Sequence, residues 1–114
     1  MGPKPETQTA TATVTPTGAT VTRGVSTNTT LVVTTTGGLT IDALNIQRQW
    51  SGISISQVST QTSGGTLTRV YAIAADANVP LGSHAINFRP SISGYTGSGV
   101  PPTPAAVFTI TVTG

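Results

Sequence analysis

Thr7-Gln8-Thr9-Ala10-Thr11-Ala12-Thr13-Val14-Thr15-Pro16-Thr17 opens the patterned part of the chain, and Ala106-Val107-Phe108-Thr109-Ile110-Thr111-Val112-Thr113 closes it. In both stretches threonine alternates with another side chain almost without a break. A period of two sends successive side chains to opposite faces of an extended strand. The pattern recurs through most of the 114 residues, and no stretch shows the 3.6-residue spacing of an amphipathic helix. The fold class is therefore all-β. Threonine, glycine and valine build sheets but carry little chemistry, so the composition points to a scaffold more than to a reaction.

Only 7% of the residues are charged, against about a quarter in ordinary domains. Thr, Ser, Gly and Gln stand in their place and hydrogen-bond to water without charge. Such a composition is common on secreted and cell-surface β-domains. A disordered chain would share the Thr, Ser, Gly and Pro but lack the regular alternation of Val, Ile, Leu and Phe. The net charge of +2 rests on Lys4, Arg23, Arg48, Arg69 and Arg89 against three acids. These cations are scattered singly, so no basic patch for nucleic acid is visible. The absence of cysteine removes disulfides, thiolate metal sites and thiol catalysis together. No apolar run approaches membrane-spanning length, and Met1-Gly2-Pro3-Lys4-Pro5 lacks the apolar core of a signal peptide. The length suits one domain. Residues 1–8 read as a flexible leader or tag remnant, and 9–114 as a single β-sandwich belonging to a longer protein.

Working inward, Ala10, Ala12 and Val14 share one face of the first strand. Pro16 and Gly18 interrupt it, so the chain is expected to change sheets there and continue through Ala19 and Val21. The next strand, residues 29–36, sets Leu31 and Val33 against Val32 and stops at Gly37-Gly38. Residues 39–50, with Ile41, Leu44, Ile46 and Trp50, read as the central strand. Ile53, Ile55 and Val58 then lead to Ser63-Gly64-Gly65, a hairpin turn in which glycines supply positive φ. On the returning strand Leu67, Arg69, Tyr71 and Ile73 share a face. Arg69 in that apolar row is a conflict that a bulge or a snorkelling side chain would resolve, and Arg48 between Ile46 and Trp50 poses the same problem. Asp76 to Gly82 is a turn-rich connection into His84, Ile86 and Phe88. Pro90 is expected to end that strand, and residues 91–104, rich in Gly and Pro, form the longest irregular segment. The pattern predicts about seven to eight strands in two antiparallel sheets.

The motifs Val14-Thr15-Pro16 with Val21 and Gly24, Thr30-Leu31-Val32-Val33-Thr34, Leu81-Gly82-Ser83-His84-Ala85-Ile86-Asn87-Phe88 and Phe108-Thr109-Ile110-Thr111-Val112 together resemble the bacterial immunoglobulin-like domains of surface and secreted proteins. The resemblance spans nearly the whole chain. It implies an immunoglobulin-like β-sandwich serving as a spacer, stalk or adhesion module, with no catalytic residue to carry over. It also implies extracellular or cell-surface placement, with neighbouring domains, a glycan or a surface protein as partners, and a monomer as an isolated domain. In that family a tyrosine often ties down the corner before the penultimate strand. Here His84 stands at that place, with Phe88, Phe108 and Ile110 as core positions.

Candidate chemistry is thin. A nucleophilic triad would need His84, the only histidine, beside Asp42 or Asp76. Its alternation with Ile86 and Phe88 favours a corner or core role. Paired carboxylates for glycoside hydrolysis are reduced to the same two aspartates, because Glu6 lies in the leader. No cofactor is implied. Asp76-x-Asn78 is a fragment of a calcium loop, but such ions take about six or more oxygens, and a side chain bonding its own backbone is the plainer reading. Zinc and iron–sulfur sites lack ligands. Carbohydrate binding is the strongest functional alternative, resting on Trp50, Tyr71 and Tyr95. Trp50 and Tyr71 fall on predicted strands and are expected to fill the core. Tyr95 falls on the long loop, where it is expected to be exposed. The threonine row also suggests ice binding, which needs several stacked rows where only one is present. Asn28-Thr29-Thr30 matches an N-glycosylation acceptor.

Overall fold

The computed structural model describes residues 7–114. Among them are eight strands and no helix, arranged as two four-stranded sheets. In spatial order the first sheet runs β1 (Ala10–Thr15), β3 (Thr27–Thr35), β6 (Thr66–Ala75) and β5 (Ile53–Ser63). The second runs β2 (Gly18–Thr22), β8 (Ala106–Thr113), β7 (Gly82–Ser93) and β4 (Thr40–Arg48).

The threonine alternation becomes the opening of both sheets. Along β1, Val14 is buried and pairs with Leu31 of β3, while Thr11, Thr13 and Thr15 face water. Pro16 has no amide hydrogen to continue the ladder, and the chain passes to the second sheet without reversing direction. β2 therefore runs parallel to β8, Val21 opposite Val112, which corrects the expectation of wholly antiparallel sheets. Gly18 is required at this crossing, since a Cβ there would stand 2.8 Å from the Thr109 carbonyl oxygen. Thr29, buried behind the crossing, donates its hydroxyl to the Pro16 carbonyl at 2.8 Å.

The inward rows of both sheets contribute to one apolar core. Leu31, Val33 and Ile73 come from the first sheet, and Ile86, Phe88, Phe108 and Ile110 from the second, all fully buried. The Tyr71 and Phe88 rings meet between the sheets with centroids 5.3 Å apart. Each such side chain contributes about 1.5–3 kcal/mol by leaving water.

Four expectations are corrected in detail. The stretch holding Ile41, Leu44 and Ile46 is not a central strand but the outer strand of the second sheet, because β8 occupies the other side of β7. A bulge between Ile41 and Ala43 explains how Ile41 and Leu44, three residues apart, lie on the same half-buried side. A second bulge between Gln57 and Ser59 leaves Val58 out of register and exposed. Pro90 does not end its strand: β7 pairs with β8 only from Gly82 to Phe88, so Pro90 sits where β7 keeps only β4 as a neighbour. A missing donor is tolerated on such an edge. At the β5–β6 turn only Gly64 takes positive φ (59°). Gly65 is needed for space instead, because a Cβ would come within 2.3 Å of the Thr35 carbonyl oxygen.

The expected leader overlaps the described residues at Thr7 and Gln8, and both are bonded. The Thr7 carbonyl accepts from the Thr36 hydroxyl, and the Gln8 side chain bridges the Gly37 carbonyl to the Thr96 amide. Residues 1–6, including Lys4 and Glu6, lie outside the described residues.

Candidate functional site

The three aromatics considered for sugar stacking do not form a platform. Tyr71 is buried on β6, its hydroxyl accepting from the Arg69 guanidinium at 3.4 Å. Trp50 is not on a strand. β4 stops at Arg48, and Trp50 lies in the short connection to β5, where its carbonyl accepts from the Ile53 amide at 3.0 Å. Its ring is half-buried against the core and meets the His84 ring edge-on, centroids 6.4 Å apart at 75°. Tyr95, expected to be exposed, is half-buried. Its hydroxyl donates to the Ser98 carbonyl at 2.9 Å, and the ring lies so close over Gly97 that a Cβ there would touch it.

His84 occupies the rim of the inward row of β7. Its Nε2 lies 2.6 Å from the Pro80 carbonyl oxygen, four residues upstream. A carbonyl only accepts, so Nε2 is the protonated nitrogen. The imidazole thus closes the corner that leads into β7. Among the described residues it has no hydrogen bond to a carboxylate; Asp42 accepts from the Ser93 hydroxyl at 3.0 Å, and Asp76 from the Asn78 amide at 2.8 Å. Asp76 and Asn78 are joined in a tight turn, with the Asp76 amide bonded to the Gly52 carbonyl at 3.0 Å. No cluster of three or more His, Asp or Glu side chains suited to a metal occurs among the described residues. Asn28 of the glycosylation motif is exposed on β3.

Two concave regions stand out among the described residues. A shallow groove of about 580 Å³ lies between the outer side of β7 and the Pro101-Pro102-Thr103-Pro104 segment, with Asn45 and Arg89 on its walls and no aromatic ring. A tighter cleft of about 330 Å³ lies between β4 and the β5–β6 hairpin. It holds Arg69 and Asp42, two residues that the sequence pattern flagged separately, one as a misfit in an apolar row and one as a triad partner. Neither flag predicts that they share a cleft, because that depends on which strands end up on the same flank. Arg48, the other misfit, is exposed.

The chain matches no protein-family model and no curated protein sequence.

Proposed function

We propose that this chain is an immunoglobulin-like β-sandwich acting as a non-catalytic structural or adhesive module of a larger secreted or cell-surface protein. The observation that carries the reading is the single core shared by the inward rows of two four-stranded sheets, the layering on which sandwiches are built. The corner before β7 adds support. His84 bonds back to the Pro80 carbonyl, much as the tyrosine of an immunoglobulin-like corner bonds a few residues upstream. The module works mechanically. Its backbone ladders fix the distance between neighbouring domains, and its threonine-covered, weakly charged surface stays hydrated without attracting nucleic acid.

A second reading, a carbohydrate-binding module using the loop at 91–104, is favoured by the groove beside that loop and weakened by the inward turn of Tyr95. Tryptophan emission separates the two. The structural module predicts a blue-shifted Trp50 emission that no soluble polysaccharide alters. A red-shifted emission that moves saturably with one glycan would replace the structural reading with the binding one.

A further inference from the structure

We propose that the cleft between β4 and the β5–β6 hairpin binds a small hydroxylated carboxylate of the uronic acid class, with the Arg69 guanidinium as its anchor. This site is distinct from the loop at 91–104 and does not depend on the structural reading. Arg69 stands half-buried on the inward row of β6, between the buried Leu67 and Tyr71, and faces the exposed Thr60 across the β5–β6 ladder. Its aliphatic stem covers apolar surface while the guanidinium reaches the open cleft, where an incoming anion can meet it. Among the described residues its hydrogen-bond partners are both neutral, the Thr60 hydroxyl at 3.2 Å from Nε and the Tyr71 hydroxyl at 3.4 Å from Nη1. A guanidinium has five N–H donors. The two hydroxyls take two of them and orient the group, leaving donors on both terminal nitrogens for the paired oxygens of a carboxylate.

The rest of the cleft selects for more than charge. Its volume of about 330 Å³ exceeds what a simple inorganic anion fills and falls at the small end of ligand sites. Leu44 and Leu67 line it with apolar surface for the C–H face of a ring, while Thr62 and Thr66 offer hydroxyls that both donate and accept. The Asp42 carboxylate, across from the hairpin, accepts one bond from Ser93 and keeps further lone pairs for ligand hydroxyls. It disfavours a polyanion. No aromatic ring lines the cleft, so a neutral sugar would lack both stacking and the charge contact. A single carboxylate attached to a polyol matches both ends.

The test is an amide and arginine Nε NMR titration with glucuronate, alongside glucose and acetate. The expected result is saturable shifts at Gly64, Gly65, Leu67 and Arg69 with glucuronate, none with glucose, and at least about tenfold weaker binding of acetate. Arg69→Gln is expected to weaken glucuronate binding by about tenfold or more while leaving amide shifts in β7 and β8 unchanged. Thr62→Val, at an exposed position that leaves the fold intact, is expected to weaken it several-fold and serves if Arg69→Gln does not fold. No saturable shift, an equal response to glucose, or equal affinity for acetate would overturn the assignment. So would full affinity in Arg69→Gln or, if that variant is unfolded, in Thr62→Val. Shifts confined to residues 94–105 would likewise overturn it, while leaving the structural reading to be judged by Trp50.

Discussion

The two flanks of the molecule are built from the same residue types and end in opposite ways. On one flank the outer strands β1 and β2 are a single run of chain divided by Pro16. β1 leans toward β7 and β8 of the other sheet, and β2 toward β3. That flank is closed by connectivity. On the other flank the outer strands β4 and β5 make no comparable approach to each other, and beyond Ile55 every residue of β5 is exposed. The cleft containing Arg69 lies in that gap. A flank between two sheets is sealed when one run of chain supplies the outer strand of each; where each sheet ends on a strand from a separate run, space remains, and it falls to side chains or a ligand to occupy it. No proline or charged residue interrupts β5, so its bulge at Val58 is the feature that discourages strand addition.

The largest expected effects come from breaking the core that both flanks share. Phe88→Ala is expected to cost about 3–5 kcal/mol, whereas Val58→Ala on the open flank is expected to stay within about 0.5 kcal/mol of the parent, both read by urea unfolding. A similar cost for the two would mean that the open flank is packed. Next in size, the two turn glycines are expected to separate by cause. Gly65→Ala forces a Cβ toward the Thr35 carbonyl and disturbs the 2.8 Å bond from the Thr35 amide to the Gly65 carbonyl, at about 3 kcal/mol. Gly64→Ala meets no neighbour and carries only the penalty of positive φ, about 1–2 kcal/mol. Smallest of the three, His84→Ala removes one corner bond and one ring contact, at about 1 kcal/mol, and is expected to shift Trp50 emission to the red. An unmoved emission would mean that the imidazole does not shield the indole.

Much of this was legible as alternation. The inward rows of β3 and β8 could be read from the period of two, which sets Leu31 and Val33, or Phe108, Ile110 and Val112, on one face, even though Val32 and Val107 on the other face are apolar by type. The break at Pro16 predicts the change of sheet correctly. Even the bulge in β4 leaves a trace, because Ile41 and Leu44 are spaced by three in a pattern of two. What escapes is non-local. Nothing near Ile46 states that β8 lies on the far side of β7, which makes β4 an outer strand. Trp50 continues the alternation of β4 by type, yet the chain turns one residue earlier. Pro90 reads as a terminator because a proline costs one donor, and the missing β8 partner that removes this cost belongs to a segment sixteen or more positions away. The cleft has the same origin. Arg69 is recognisably out of place, but its surroundings are set by how the two sheets end.

Residue-resolved amide hydrogen exchange compares the two flanks most directly. With one flank closed and the other open, the β5 amides between Ser59 and Ser63 that bond β6 are expected to exchange through local opening about two orders of magnitude faster than the β1 amides that bond β3. Equal protection on both outer strands would contradict the account, since it would mean that the β4–β5 flank is as firmly closed as the one sealed at Pro16.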